Sequence, residues 1–405
     1  MRRGGSGPGD SKTRSPRPRT NQAGTSFAAC PWAASLKTGC VFSVNRTPAG
    51  RWLRGLLLGV AGGLLAIGVA ACAVLRSAAA TVEVRFEFTQ PQMGVPFRMV
   101  VYAPDFTTAS NAVHAAFARV AALNCVLSDY EDDSELTLLS RTAGSHRAVP
   151  VSADLWRVLV PAQRWARRTD GAFDVTVGPA VQLWRRARRQ RELPSAARLA
   201  TALEAVGHRK LILQPRERTA QLTVPGMRLD LGGIAKGYAV DEALRVLRAY
   251  GIQRALVSGG GDLAVSQPPP GTAGWRIELP SPETGTNSPP RFVRLKNAAL
   301  ATSGDLFQFV EIAGTRYSHI VDPRTGIGLT DHSQVTVIAQ DCLTADALAT
   351  SVSVLGVDRG FRLVEATPRA AAFLVRQPRD SREAFASRRF ARFIEAPPDA
   401  VKTWR

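Results

Sequence analysis

Along residues 81–88 the apolar side chains alternate, with Val82, Val84, Phe86 and Phe88 on one side, the two-residue period of a half-buried strand. The stretch 96–104, PFRMVVYAP, predicts a second strand, and Pro91 and Gly94 mark the turn between them. The period then changes. Val113, Ala116, Phe117, Val120, Leu123 and Leu127 recur at helical spacing and predict a helix over 107–127, and another helix is expected over 153–168. Short apolar stretches separated by turn residues follow (RKLILQP, QLTV, MRLDLG and RALVSGGGDLAV) and read as strands. The segment 265–290, rich in Pro, Ser, Thr and Gly around Trp275, reads as an exposed excursion between strands. Strands and helices are interspersed without regular βαβ spacing, so the expected fold class is α+β.

The first 80 residues follow another pattern. Residues 1–50 are rich in Gly, Pro, Ser, Thr and Arg and show no periodicity; they read as a disordered basic extension, or as sequence ahead of the true start. Arg51 and Arg54 precede an uncharged run from Gly55 to Leu75, within a segment 51–75 long enough to span a bilayer core. Positive charge upstream keeps that side cytoplasmic, so the body after residue 80 is expected outside, tethered to the membrane. Val69-Ala70-Ala71-Cys72 resembles a bacterial lipobox, which makes a lipoprotein at Cys72 the leading expectation and a retained membrane helix the alternative.

Charge and cysteine content narrow the function classes. The net charge is +19, and residues 1–71 hold ten of the Lys/Arg and a single Asp, so about half the excess lies outside the body. The remaining basicity suits anionic small molecules such as phosphates as readily as a polyanion. The basic residues are not interleaved with aromatics and no nucleic-acid module is recognised, so nucleic acid is not an expected partner. The five cysteines form no CxxC pair and no metal-ligand spacing. Cys125 and Cys342 are expected as buried thiols. Five arginines in the seven residues 185–191 read as a solvated helix face, with contact to an anion or a membrane surface as the alternative.

Five constellations carry candidate chemistry. LDLGGIAKGYAVD, from Leu229 to Asp241, reads as a short strand ending at Asp230, a Gly232-Gly233 turn and a helix, whose free N–H groups suit phosphate oxygens; a turn shaped by sterics alone is the alternative. ALVSGGGDLAV places three glycines before Asp262, as a hairpin or as a ligand cradle. TADALATSVSVLG, with Thr344 as N-cap, puts Asp346 and Thr350 four apart on one helix face. These are hard oxygen ligands of the kind Mg2+ takes, or a helix-dipole Asp and a back-bonding Thr. RYSHIVDPRTGIG sets His319 at a strand end, as a base or as a structural histidine. TDGAFDVTVGPAVQLW places Gly171, Phe173 and Asp174 in a loop after a helix, where Phe173 stacks on a planar ligand or belongs to the core.

In their order along the chain, MGVPF (93–97), LSDYEDDSEL (127–136), TDGAFDVTVGP, LDLGGIAKGYAVD, VSGGGDLAV, ATSGD (301–305), SHIVDPRTG and TADALAT together resemble the ApbE family, the FAD:protein FMN transferases. The resemblance implies a catalytic body over 80–400 of mixed, largely antiparallel sheets with packed helices, related to the T-fold. It implies Mg2+-dependent cleavage of FAD, with FMN attached by a phosphoester to a Thr or Ser of an acceptor protein and AMP released. Carried over by motif, Met93, Tyr130, Ala172, Phe173, Asp174, Asp230, Lys236 and Ile320 would contact FAD. Asp346, Thr350 and a main-chain oxygen near Gly233 would hold Mg2+, and His319 would act in catalysis. The implied acceptor is a flavoprotein carrying Ser/Thr-Gly-Ala-Ser/Thr, a subunit of a membrane redox complex or an exported reductase. The chain departs from the family pattern in its arginine run after Leu183-Trp184 and at Leu306-Phe307, which leaves the shape of the substrate channel open. Two other readings compete: a Mg2+-dependent FAD pyrophosphatase with water as acceptor, and a non-catalytic flavin-binding lipoprotein.

Overall fold

The computed structural model describes residues 82–279, 291–305, 308–377, 383–395 and 402–404. The extension 1–50, the apolar segment 51–75 and the Leu306-Phe307 departure lie outside the described residues. In chain order the elements are β1 (Val84–Gln92), β2 (Val95–Ala103), α1 (Phe106–Leu127), α2 (Glu135–Ser140), β3 (Val149–Pro150), α3 (Ala153–Arg168), α4 (Gly178–Gln190), α5 (Ala196–Glu204), β4 (Leu211–Gln214), β5 (Thr219–Leu222), α6 (Ala235–Ala249), β6 (Arg254–Gly259) and β7 (Asp262–Val265). They continue with β8 (Trp275–Leu279), β9 (Arg291–Leu295), β10 (Ala298–Gly304), β11 (Phe309–Ile312), β12 (Thr315–Ser318), β13 (Ser333–Ala339), α7 (Cys342–Glu365), β14 (Ala371–Arg376), β15 (Glu383–Ala386) and β16 (Lys402–Thr403).

The centre is a sheet in the order β1-β2-β6-β7-β10-β13-β14-β15-β16, antiparallel at every pairing except β15 with β16. Strand alternation sends Phe97, Met99, Val101, Val335 and Val337 to the face covered by α1, α6 and α7. The helical period of α1 buries Ala109, Val113, Ala116, Phe117, Val120 and Leu123 on that face, and its N-cap Asp105 accepts from the Thr108 amide. The opposite face carries Val100, Leu256, Leu300, Ile338 and Phe373, closed over by Trp275, Leu279, Val293 and Leu295 of the β8–β9 hairpin. The α+β reading therefore holds. The exposed excursion around Trp275 does not: Trp275 is buried, because the sheet has two apolar faces and the second one needs a cover.

Two further small units matter for the site. Helix α4 and the β11–β12 hairpin share a satellite core of Ala180, Trp184, Ala187, Val310, Ile312 and Val321. The Trp184 indole Nε1 donates to the Ser318 carbonyl at 2.8 Å, which fixes the end of β12 against α4. Helices α6 and α7 meet still more closely. Asp241 on α6 accepts from the Cys342 and Leu343 amides, at 2.9 Å each, at the first turn of α7. The N-cap of α7 is Asp341, which accepts from the Thr344 amide, three residues ahead of the Thr344 expected from sequence. Cys342 is a buried free thiol as expected, whereas Cys125 is half-buried and disulfide-bonded, against expectation.

The crossing of α6 and α7 depends on Gly237, where a Cβ would collide with the Cys342 carbonyl and come within 2.9 Å of the Leu343 Cα. Gly237→Ala is expected to destabilise the protein by about 1–3 kcal/mol, because backbone rather than a flexible side chain must give way. The measurement is the urea midpoint at unchanged m-value, and a wild-type midpoint would refute the close-packing account.

Candidate functional site

The β6–β7 hairpin turns on Gly260 and Gly261, both at positive φ, and so delivers Asp262 to the start of β7. The hairpin alternative for the triple glycine is the one realised. Asp262 is buried, and its Oδ2 accepts from the Lys236 Nζ at 2.6 Å. Lys236, in the first turn of α6, also lies 3.6 Å from Oδ2 of buried Asp346 on α7, and the Gly237 amide donates to the same oxygen at 3.1 Å. One turn further along α7, the Thr350 hydroxyl lies 3.3 Å from the Ser303 hydroxyl of β10. A Cβ on Gly233 would sit 2.8 Å from Thr350 Oγ1, so the glycine lets the main chain of the turn close onto that hydroxyl.

One ammonium thus serves two buried carboxylates. Burial and the Asp346 charge push Asp262 up to about 7, with Lys236 opposing. Burial likewise raises Asp346 against Lys236 and the Gly237 amide. Burial would depress Lys236, but the two carboxylates outweigh it and hold the ammonium up. The cluster is one positive charge short, and that deficit is a physical reason for a cation to sit there. Asp346 and Thr350 offer hard oxygen donors of the type Mg2+ accepts, and the Gly233 main chain lies against Thr350. Among the described residues no group of three or more His, Cys, Asp or Glu side chains is placed to hold a metal.

Beyond the Gly232-Gly233 turn lies a second group. Asp230 does not end a strand; only an isolated bridge from Arg228 to Val177 forms there. The Asp230 amide donates to the Val175 carbonyl at 2.8 Å, and its Oδ1 accepts from the Gly232 amide at 2.8 Å. Its Oδ2 accepts from Arg185 at 2.9 Å, and Arg185 also donates to Asp129 and lies over the ring of exposed Tyr130. The arginine run is therefore not uniformly a solvated face: Arg186, Arg189 and Arg191 are exposed, but Arg185 is half-buried. A cavity of about 1060 Å3 opens from Tyr130 and Arg185 between α4 and α5.

His319 follows β12 directly. Its Nδ1 lies 3.1 Å from the Gln308 carbonyl, which can only accept, so Nδ1 carries the proton and Nε2 keeps its lone pair. Burial pushes the imidazole down to about 4, and the charges of Arg188 and Lys236 add to this. Ile320 is half-buried beside it, its amide donating to the Ser318 hydroxyl. Met93 stands at positive φ in the β1–β2 turn. Val95, the first residue of β2, approaches Gly260 as Lys236 does. Ala172 and Phe173 are buried, Phe173 in the main core. Asp174 is buried, and its Oδ1 accepts from the Thr176 amide and hydroxyl.

The structure thus unites Lys236, Gly233, Asp346 and Thr350, sets Asp230 and Tyr130 at one flank and brings His319 within reach of the Lys236 charge. Asp262, named only as the residue after the three glycines, joins them, as do Ser303, Arg185 and Asp129, to none of which the sequence reading gave a role. The GGGD and ATSGD stretches held the signal for the first two. Nothing in the arginine run distinguishes Arg185 except its place next to inward-facing Trp184.

A half-buried lysine shared between two buried carboxylates, hydroxyls and a glycine turn beside them, and an unprotonated imidazole nearby make a site suited to phosphate chemistry. Residues 93–374 match the ApbE family, and this chain belongs to that family. A FAD:protein FMN transferase of Haemophilus influenzae is 32% identical over 293 residues, 70% of this chain and 84% of that protein. One of Vibrio cholerae is 33% identical over 275 residues, 67% of this chain and 81% of that protein. Among solved structures, the flavin transferase ApbE from Vibrio cholerae superposes with a TM-score of 0.70 at 30% identity, covering 77% of this chain and 99% of that one. The apo form of the Pseudomonas stutzeri flavinyl transferase ApbE gives 0.69 at 28% identity, covering 78% and 98%.

The His319 ring supplies a test of its surroundings. Its folded pKa of about 4 lies below its ordinary 6.5, so between these values the unfolded chain binds more protons and stability is lost as pH falls. His319→Gln should flatten that acid slope between pH 6.5 and 4, by on the order of 2 kcal/mol at the lower end. Denaturant titrations across this pH range measure it, and an unchanged slope would show that the imidazole is freely solvated.

Proposed function

We propose that this chain is an FAD:protein FMN transferase. The observation that carries the reading is the charge-deficient Lys236, Asp262 and Asp346 cluster lying within the segment shared with the curated transferases. Lys236 binds a pyrophosphate oxygen of FAD, and Asp230 and Tyr130 orient the nucleotide from the flank. Met93 and Ile320 complete the binding surface, whereas the Ala172–Asp174 segment, which the family pattern implies there, is buried. Asp346, Thr350 and the Gly233 carbonyl would hold Mg2+, which supplies charge neutralisation to the twin phosphates. The acceptor hydroxyl attacks the phosphorus next to riboflavin: a new oxygen–phosphorus bond forms, the bond to AMP breaks, and the hydroxyl proton passes to Nε2 of His319. The low pKa of His319 keeps that nitrogen free at neutral pH, and the Gln308 carbonyl fixes its tautomer.

The acceptor is a flavoprotein carrying Ser/Thr-Gly-Ala-Ser/Thr, a subunit of a membrane redox complex or an exported reductase. The body works outside the cytoplasm, tethered through the 51–75 segment or a lipid on Cys72. The arginines ahead of the apolar run and the small residues before Cys72 support that placement. Among the described residues no helix is long and apolar enough to cross a membrane.

The test is to incubate the protein with FAD, Mg2+ and such an acceptor, reading flavin fluorescence on the acceptor in a gel and AMP in solution. Labelled acceptor with AMP is expected. AMP without label would make the chain a pyrophosphatase, and neither would make it a carrier. His319→Ala is expected to lower transfer by about a hundredfold or more while FAD still binds. A normal rate in that variant removes His319 from the reaction. Asp346→Ala, or chelation of divalent cations, should suppress both transfer and AMP release; activity persisting in EDTA would rule out the metal.

A further inference from the structure

Arg185 stands apart from the rest of its run because of what its guanidinium holds. Nη1 donates to Asp129 Oδ2 at 2.5 Å, Nη2 donates to Asp230 Oδ2 at 2.9 Å, and Cζ lies 4.2 Å from the centre of the Tyr130 ring. Both carboxylates are nearly enclosed, their side chains 12% and 10% exposed. Without a cation between them they would face each other as like charges in a site with little water. A planar guanidinium can bridge two carboxylates and stack on a ring at the same time; a lysine ammonium cannot.

The backbone under Arg185 is itself anchored. Trp184 is fully buried and donates to the carbonyl of Ser318, the residue before His319. One helix turn therefore holds the residue before the proposed base through one side chain and the Asp230–Tyr130 flank through the next. Arg185 also lines the 1060 Å3 cavity, as do Tyr130 and Asp129.

We propose that Arg185 is a positioning residue of the flavin site, neutralising the Asp129–Asp230 pair and clamping Tyr130, and so presetting the groups that grip the nucleotide. The proposal rests on the reading of Asp230 and Tyr130 as contacts to FAD. It assigns Arg185 to substrate affinity rather than to the chemical step, because the Lys236 cluster and His319 are held by other contacts.

The full chain with Mg2+ is titrated with FAD, flavin fluorescence reporting binding, for the wild type, Arg185→Ala, Arg185→Lys and the double variant Arg185→Ala/Asp129→Asn. Arg185→Ala is expected to weaken FAD binding by about tenfold or more, the loss typical of a charge-assisted contact. Arg185→Lys should recover little of it. The double variant should recover most, since one of the two facing charges is gone, and a residue that only supported the fold would show no such rescue. In the transfer assay KM for FAD should rise with Kd, while kcat at saturating FAD stays within about threefold. Unchanged affinity in Arg185→Ala, a double variant no better than the single one, or a fall in kcat at unchanged Kd would each overturn the proposal. If the alanine variant does not fold, Arg185→Gln makes the same comparison. Wild-type protein that binds no FAD would instead sink the flavin reading, and this assignment with it.

Discussion

The site depends on a mismatch of charge. Asp262 and Asp346 are both buried, they come from a strand and a helix far apart in sequence, and one lysine lies between them. An isolated buried carboxylate takes up a proton to escape its charge, and two facing one ammonium can be only partly satisfied. Such an arrangement is poor for stability and suited to binding, because an incoming cation would restore the balance that folding leaves open. The glycine turn before α6 and the hydroxyls of Ser303 and Thr350 make sense as the remaining walls of the same small volume.

The scaffold explains how that mismatch is maintained. The long antiparallel sheet is buried on both faces, so its strands cannot shift register without exposing one apolar set or the other. On one side it positions α6 and α7, on which Lys236, Asp346 and Thr350 ride. At its middle it ends the β6–β7 hairpin at Asp262. Helix α4 does separate work at the rim, with Trp184 pinning the strand before His319 and Arg185 engaging Asp230.

The features legible in the sequence were those written in short range. Period-two and helical alternation located β2, α1 and α3 closely, and the fold class followed from their order, but β1 starts at Val84 and runs through Pro91 to Gln92, so the turn is Met93-Gly94 alone. Asp346 and Thr350 were visible because helical spacing puts residues four apart on one face. The cap of α7 was misplaced because Asp341 and Thr344 are both good capping residues and only backbone geometry decides between them. Trp275 looked exposed because a Pro- and Gly-rich context describes the turns around it, not the sheet face beneath it. Asp262 and Arg185 stayed hidden for the same reason: each gains its meaning from a partner far along the chain, Lys236 in one case and Asp129 with Asp230 in the other.

The junction of α6 with α7 has a consequence for how such a protein can diversify. Asp241 stitches the first turn of α7 to α6, and the bare backbone at Gly237 lets the two helices touch, so Lys236, Asp346 and Thr350 ride on one joined pair of helices. The β11–β12 hairpin and α4 are fastened to each other by a small core of their own and the bond from Trp184 to the Ser318 carbonyl. Substitutions in that outer core can therefore shift α4 and the hairpin, and with them Arg185 and His319, without loosening the seam between α6 and α7.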